Sequence, residues 1–482
     1  MIEQTRWSRD AAVPIFAGAV WLWFATGFGL VGFLFSLIPG CLLFSSGISI
    51  LLWPGDLRIS SFAALGGLLG VPLAVPAFWV AGPGTALLLI GLSAASYVAA
   101  GAVAVKWEPH TKEVPTPEPS LRLSAEVAAD EVVLATMLTG LPLVSGNAWS
   151  RVRDEVIAAR DFFESRGWLA RPADYHVTPP PLVDPSLVPA RTRGIHFEHL
   201  RFESGYAPHE GEAGRERWLS YAPNRTAHAW VLRHPGAPRP WLVAIHGFQL
   251  GHAWADFALF DPRHFHEKLG LNLVYPVLPF HGKRKVGRRS GDGFLTGDVL
   301  DSVHAEAQAM WDIRRLLSWV RAQGAPAVGA FGISLGGYQA SLLAALDDEL
   351  ACVIAAVPLT DIPRVLWRHG PPLLIRHGEH QGVQRDEVSE VMNVVSPLSL
   401  EPRIPVERRF LIGGVADRLV PPDQVRDLWL HWERPRIVWY QGGHLTFNRA
   451  PAVRRLIRDA LSEGGLIRAP HASGSQAGEP AP

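Results

Sequence analysis

One serine in this sequence has a setting that favours nucleophilic chemistry. Ser334 stands between Gly332 and Gly336, after a short apolar run and before a segment of helical character. A nucleophilic serine at a sharp strand-to-helix turn needs a strained backbone so that its hydroxyl points into a cleft. Glycines two residues away on either side let neighbouring backbones approach without a Cβ clash. The pattern therefore predicts a nucleophile elbow at Ser334.

Segments of strand and helix character alternate around this elbow. Apolar, strand-like runs at 241–245, 271–275 and 351–357 are separated by helical segments, such as the amphipathic stretch 303–321. This alternation is typical of a parallel sheet covered by helices on both faces. The sequence thus predicts an α/β fold, with a doubly wound, mostly parallel sheet, over residues 196–466.

Three motifs in this region give it a resemblance to the α/β-hydrolase superfamily. They are the elbow, the segment 413–421 with Asp417 at its centre, and the late run 441–444, which ends in His444. In that superfamily the catalytic triad runs serine, acid, histidine along the chain. The resemblance implies that Ser334 is the nucleophile, that His444 takes its proton and that Asp417 orients the imidazole.

Other residues compete for two of these roles. Asp361 and Asp423 are alternative acids, while His431 and His471 are the other late histidines.

The resemblance also implies an oxyanion hole made of backbone N–H groups. One donor would be Leu335, which follows the nucleophile, and the other Phe248 or its neighbour Gln249, in the loop after the strand 241–245. His246 in the same loop is interpreted as structural. The 19 histidines include no HExxH motif and are accompanied by no cysteine cluster, so neither a metal site nor another cofactor is predicted.

Two features bear on the substrate. Lys283, Arg284 and Lys285 open a basic run that could attract an anionic group, although a solvated basic loop is the alternative. Residues 360–400 are predicted to form a lid that carries apolar side chains such as Trp367. The motifs are also similar to those of α/β-hydrolase domain-containing proteins, some of which deacylate membrane lipids, so an apolar acyl substrate is expected.

The N-terminal part has a very different composition. Between residues 11 and 105 only Asp56 and Arg58 are charged, and about 20 apolar residues suffice for one membrane span. Residues 1–107 are therefore predicted to be a membrane region with four transmembrane helices, at about 13–37, 40–54, 60–80 and 84–105, or with two spans as the alternative. A passive anchor is the simplest role for it.

The basic residues predict the orientation. With four spans, Arg6, Arg9, Arg58 and Lys106 all fall on one side, which by the positive-inside rule is the cytoplasm, together with the catalytic part. Lys and Arg total 45, as do Asp and Glu, so bulk charge gives no indication of a nucleic-acid partner.

The remaining segments connect these parts. A Pro-rich linker is predicted at 108–120, a helical extension at 121–195 that becomes Pro-rich and irregular from 170 to 194, and a disordered tail at 467–482. Together the patterns predict a membrane-anchored serine hydrolase that cleaves a carboxylic ester in a lipid or other apolar acyl compound. Acyl transfer or amide cleavage by the same triad, and a non-catalytic membrane scaffold, are the alternatives.

Overall fold

The computed structural model describes residues 9–27, 29–53, 55–56, 58–140 and 148–468. Arg6, His471 and the predicted tail from 469 onward lie outside the described residues, so the predictions made for them stay predictions.

Apolar helices form the N-terminal part of the described chain. They are α1 (Ala12–Gly27), α2 (Gly29–Leu52), α3 (Ile59–Leu73), the short α4 (Ala77–Val80) and α5 (Pro83–Trp107). Gly18 lies against the backbone of Phe44, which lets α1 and α2 pack closely. The Trp21 indole N–H donates to the Ser93 hydroxyl at 3.0 Å, a buried bond that joins α1 to α5.

The helix boundaries in this region differ from those predicted. The predicted boundary between the first span, 13–37, and the second, 40–54, is wrong, because α2 runs through Pro39. Helix α1 ends at Gly27, and α2 begins at Gly29, whose φ is +65°. A proline removes only one helical N–H, which a packed apolar helix tolerates. The predicted third span is divided into α3 and α4. Among the residues that the structure describes, two helical segments, Gly32–Leu52 and Pro83–Trp107, are long and apolar enough to cross a membrane.

Two longer helices connect the apolar part to the sheet. They are α6 (Leu121–Gly140), which packs on α3 and α5, and α7 (Ala148–Ser165). The Pro-rich segment before them lies against the rest of the chain. The Gln441 side chain accepts the Glu118 N–H at 2.9 Å, and its amide donates to the Thr116 carbonyl at 3.3 Å. This segment is therefore packed against Gln441 in the C-terminal region rather than extended as a free spacer.

A nine-stranded sheet forms the centre of the described C-terminal region. Its strands are β1 (Ser186–Thr192), β2 (Ile195–Glu203), β3 (Thr226–Leu232), β4 (Trp241–Ile245), β5 (Asn272–Val277), β6 (Val328–Ile333), β7 (Cys352–Ala356), β8 (Arg409–Gly414) and β9 (Arg436–Tyr440). The spatial order is β1-β2-β3-β5-β4-β6-β7-β8-β9. The pairs from β5 through β9 are parallel, and those among β1, β2, β3 and β5 are antiparallel. The predicted mostly parallel sheet is confirmed.

The first strand corrects a prediction. Residues 186–192 were expected to be irregular and part of a helical extension, but they pair with β2 in antiparallel register. Pro189 lies in this strand and is tolerated because β1 is at the sheet edge, where a missing N–H costs no ladder bond. The prolines around 179–189 are atypical of a strand, so the sequence pattern did not indicate one here.

Helices cover both faces of the sheet. They are α8 (Arg215–Ser220), α9 (Ala253–Leu259), α10 (Val299–Ala322), α11 (Leu335–Leu346), α12 (Ile362–His369), α13 (Pro372–His380), α14 (Arg385–Met392), α15 (Pro422–His431) and α16 (Pro451–Glu463). Along β4, Val243 and Ile245 join the core beneath α10, whereas Leu242 and Ala244 join the core beneath α16. Helices α12, α13 and α14 occupy the segment predicted to be a lid.

Candidate active site

Ser334 stands at a strained turn between β6 and α11. Its φ of 59° and ψ of −117° lie in a region that L-residues rarely adopt, which costs about 1–3 kcal/mol. The turn is held on both sides. The Ser334 N–H donates to the Ala356 carbonyl at 2.9 Å, and the Ser334 carbonyl accepts from Tyr338 at 3.1 Å and Leu359 at 3.2 Å. Neighbouring strand and helix thus fix the backbone of the predicted nucleophile.

The glycines of the motif are required by close packing. A Cβ at Gly332 would overlap the backbone of Gly336, and a Cβ at Gly336 would overlap the Ile245 carbonyl at the end of β4. The elbow can therefore form only if both positions lack a side chain.

The predicted acid and histidine are in direct contact. His444 Nδ1 donates to Asp417 Oδ2 at 2.7 Å, and Asp417 Oδ1 accepts the Val420 N–H at 2.8 Å. Asp417 follows β8 and His444 follows β9. Since β6, β8 and β9 are parallel, their carboxyl ends bring Ser334 to the same edge of the sheet as these two residues.

The predicted serine and histidine are not hydrogen-bonded to each other as the histidine and the acid are. Within the part of the chain that the structure describes, no hydrogen bond joins the Ser334 hydroxyl to His444. Bonds of this kind often shorten only when substrate is bound.

The other late acids and histidine have different partners. Asp361 and Asp423 both pair with Arg364, each at 3.0 Å. His431 lies on α15, where its Nε2 is 2.9 Å from the Leu400 carbonyl. These contacts favour Asp417 and His444 over the alternatives.

The surroundings of His444 favour its charged form. Burial alone would lower the pKa of the imidazole, but the charge of Asp417 and its hydrogen bond outweigh burial, and Asp130 adds to them, so the pKa is raised above 6.5. An imidazole in this setting is well suited to accept a proton from a nearby hydroxyl.

The segments predicted to form the oxyanion hole meet at Ser334. Leu335 is the first residue of α11, so its N–H has no acceptor within the helix. In the loop after β4, a Cβ at Gly247 would lie 3.4 Å from the Ser334 Cβ, so this loop passes directly beside the nucleophile. Phe248 follows Gly247 and stacks edge-on to His281.

His246 has the structural role expected for it. It is buried, its Nδ1 lies 2.8 Å from the Gly247 carbonyl, and its Nε2 accepts the Leu278 N–H at 3.2 Å. Burial lowers the pKa of His246, which keeps the ring neutral. Nε2 therefore ties the end of β4 to the end of β5, while Nδ1 is used within the loop after β4.

The three basic residues predicted to bind substrate differ in their exposure to solvent. Arg284 is a correction: it is buried, pairs with Asp312 at 2.8 Å and donates to the Val277 and Asn224 carbonyls, so it cannot reach a substrate. Lys283 and Lys285 are exposed.

Trp367 lies on α12, half-buried, and its indole N–H donates to Glu379 at 3.0 Å. It belongs to the wall of an apolar cavity lined by side chains of α7, α12 and α13.

One residue of the site was missed from the sequence. Asp130, on α6, is fully buried, and its carboxylate accepts the backbone N–H of His444 at 2.7 Å, of Arg418 at 3.2 Å and of Leu445 at 3.3 Å. Burial, and then the charge of Asp417, raise the pKa of Asp130 to about 7.

A sequence signal for this residue existed. Asp130 and Glu131 occupy the i+3 and i+4 positions after Val127 on α6, and Leu134 follows at i+7. Two carboxylates on the otherwise apolar stripe of a helix indicate buried polar partners.

A buried ionic network surrounds the loop of the predicted acid. Arg418 is 2% exposed, and its guanidinium pairs with Glu131 and with Glu108 at the end of α5. Glu131 also accepts hydrogen bonds from the hydroxyls of Ser60 and Ser61 on α3. The loop that carries Asp417 is thus attached directly to α6 and to the end of α5, and through Glu131 to α3.

Comparison with known proteins gives two relatives of high similarity. No family model matches the chain. Over 360 residues it is 44% identical to "Uncharacterized protein MT2702" of Mycobacterium tuberculosis, an alignment that covers 74% of this chain and 86% of that protein. Over the same length it is 43% identical to "Uncharacterized protein Rv2627c" of M. tuberculosis H37Rv, with the same coverage.

Solved structures are much less similar. Acetyl xylan esterase 1 from Thermoanaerobacterium is 15% identical, with a TM-score of 0.43, over 61% of this chain and 93% of that one. The acylaminoacyl peptidase of Pyrococcus horikoshii is 13% identical, with a TM-score of 0.38, over 60% of this chain and 43% of that one.

Proposed function

We propose that this chain, which belongs to the same protein family as the two Mycobacterium tuberculosis proteins, is a serine hydrolase that cleaves carboxylic esters. One observation carries the proposal: the hydrogen-bonded pair His444–Asp417 lies at the same sheet edge as Ser334, whose backbone is held in a strained elbow. A neutral serine hydroxyl is a weak nucleophile, and a histidine oriented by a buried carboxylate is the usual means of activating it.

The reaction would proceed in two halves. Ser334 Oγ attacks the ester carbonyl carbon while His444 Nε2 takes its proton, and the N–H groups of Leu335 and Phe248 bind the negative oxygen that forms. The tetrahedral intermediate collapses as His444 returns the proton to the leaving alcohol, which leaves an acyl group on Ser334. Water, deprotonated by His444, then attacks the acyl carbon. The second tetrahedral intermediate breaks its bond to Ser334 Oγ, which takes the proton back from His444 as the carboxylic acid is released.

The apolar cavity lined by α7, α12 and α13 supports an apolar acyl group as the substrate class. Its wall combines Trp149 of α7 with Leu366 and Trp367 of α12 and with Leu374 and Ile375 of α13. The wall and the elbow are close along the chain, because Leu359, whose N–H bonds the Ser334 carbonyl, comes three residues before α12 begins. Apolar walls with few polar groups are typical of sites for greasy ligands.

The outer surface of the N-terminal helices supports membrane association. Trp23 is 78% exposed and Trp79 is 81% exposed, and they are accompanied by exposed Phe16, Leu30 and Leu87. Apolar surface of this extent is costly in water and favourable in a bilayer. Our proposal places the helices in the membrane and, from Arg58 and Lys106, the hydrolase region on the cytoplasmic side.

Ester hydrolysis by the full chain in detergent tests the proposal. We expect wild-type protein to hydrolyse p-nitrophenyl esters, with longer acyl chains preferred to acetate, and Ser334→Ala to lose turnover. Ser341→Ala is the matched control, since Ser341 lies on the same helix and its hydroxyl donates to the Gly337 carbonyl. A folded wild-type chain that hydrolyses no ester, or an active Ser334→Ala variant, contradicts the proposal.

A further inference from the structure

A single carboxylate joins the two loops that carry the predicted acid and histidine. The loop after β8 presents the Arg418 N–H to Asp130, and the loop after β9 presents the N–H groups of His444 and Leu445. Asp130 comes from α6, which is not part of the sheet. Each loop is therefore fixed through an element from another part of the chain.

The backbone beside His444 leaves room for this carboxylate. A Cβ at Gly443, the residue before His444, would lie 2.5 Å from Asp130 Oδ2, so only glycine allows the approach. The three N–H donors satisfy the two oxygens of Asp130, which is why a fully buried carboxylate is tolerated here. Such an arrangement restrains the main chain of the His444 turn more strongly than packing alone.

Helix α6 is itself held by the apolar helices. A Cβ at Gly101 of α5 would overlap the Ser124 carbonyl of α6, so the two backbones are in close contact. Glu131, next to Asp130, accepts the hydroxyls of Ser60 and Ser61 from α3. The position of Asp130 thus depends on helices that the sequence alone interprets as a passive anchor.

We propose that Asp130 is a positioning residue, which holds His444 and Asp417 in register, and that the apolar helices are part of the active unit because they hold α6 in place. This inference rests on the proposed hydrolase function. Misplacing a catalytic group by about 1 Å costs on the order of 100-fold in rate. Loss of the Asp130 contacts should therefore lower kcat and leave KM nearly unchanged.

The charge of Asp130 gives a second, independent readout. The ionisable groups that face the His444 turn from neighbouring elements are Asp417, Asp130, Glu126, Tyr440 and Arg454. Of these, Asp417 and Asp130 raise the pKa of His444. Asp130, with a pKa of about 7, is partly ionised in this pH range. Replacing it by a neutral residue should therefore lower the pKa of His444, so the acid limb of the kcat/KM profile should move to lower pH.

The experiment compares full-length Asp130→Asn with wild type by p-nitrophenyl ester kinetics between pH 5 and 9. We expect kcat to fall about 100-fold with KM changed less than about twofold, and the acid limb to shift to lower pH. Ser124→Ala is the control, because that buried hydroxyl on α6 donates only locally, to the Ser120 carbonyl. Wild-type kcat and an unmoved acid limb in Asp130→Asn would overturn the inference.

A second variant covers the case in which Asp130→Asn does not fold. Ser60→Ala combined with Ser61→Ala removes both α3 hydroxyls from Glu131 without touching the two loops. A reduced kcat with unchanged KM supports the link to the apolar helices, and unchanged kcat overturns it. If wild type itself neither hydrolyses esters nor reacts with an active-site serine probe, it is the proposed function that fails.

Discussion

Glu131 of α6 and Arg418 of the loop after β8 form a buried ion pair, with Nε and Oε1 2.5 Å apart and both side chains at most 2% exposed. Arg418 directly follows the predicted acid Asp417, and Glu131 directly follows Asp130. Two adjacent carboxylates of one helix therefore hold the same loop, one through a backbone N–H and the other through a guanidinium.

Breaking this ion pair should be costly. Removing one partner of a buried pair leaves a charge without compensation, which typically costs about 3–5 kcal/mol. We expect Arg418→Met to lower the free energy of unfolding by this amount, since Glu131 loses its ionic partner and Glu108 keeps only Arg368.

Denaturant titration in detergent measures the loss, with Arg436→Met as the control. Arg436 pairs with Asp459 and Glu463 at the surface, where all three side chains are about half exposed, so its removal should cost no more than about 1 kcal/mol. Equal effects of the two variants would mean that the buried network contributes little.

Asp417 rather than Asp423 should be the acid that supports turnover. Asp417→Asn disrupts the tautomer and orientation of His444, and changes of this type lower kcat by about 10⁴-fold. Asp423→Asn removes one of the carboxylates around Arg364 and leaves the Asp417–His444 bond intact. Measured kcat values decide: a large loss in Asp423→Asn with activity retained in Asp417→Asn would reverse the assignment.

The backbone strain at Ser334 should lower the free energy of unfolding. Glycine adopts a φ of +59° without a Cβ penalty, whereas alanine keeps the strain of serine. We expect Ser334→Gly to be more stable than Ser334→Ala by about 1–3 kcal/mol, with both variants inactive. Comparison of their denaturant midpoints tests this, and identical midpoints would show that the elbow stores no strain.

Activity should fall in acid because His444 must be neutral to accept a proton. Asp417 raises the pKa of His444 against the opposing effect of burial, so the acid limb of kcat/KM should lie above pH 6.5. An acid limb of kcat/KM below pH 6.5 would show that the Asp417 carboxylate does not raise the pKa of His444.

The contribution of His444 to the free energy of unfolding should decrease as pH rises, whereas activity should increase. Because the folded-state pKa of His444 is raised, its contribution is fully present below about pH 6.5 and is lost as pH rises through the folded value. The difference in unfolding free energy between wild type and His444→Gln should therefore shrink from pH 6 to pH 9. A constant or growing difference would contradict the shift.

Local patterns predicted much of the sheet and of the site. The elbow, the Asp417 segment and the His444 segment are short motifs whose conformation depends on nearby residues, and the alternation of strands and helices predicted the parallel part of the sheet. Arg284 was misassigned because a basic run looks exposed in sequence, yet one of its members turns inward to Asp312.

The rest depended on long-range contacts. Asp130 lies 314 residues before His444, and no local pattern connects them. The carboxylates at 130 and 131 on an apolar stripe indicated buried partners without identifying which. Likewise β1, which contains Pro189, is a strand only because it pairs with β2.

Covalent labelling with a fluorophosphonate probe tests the central claim most directly. We predict that the probe labels wild-type full-length protein on the peptide that contains Ser334, as located by mass spectrometry, and that Ser334→Ala is unlabelled while Ser341→Ala is labelled like wild type. Folded wild type that remains unlabelled, or that is labelled at another serine, would contradict the assignment of Ser334 as an activated nucleophile.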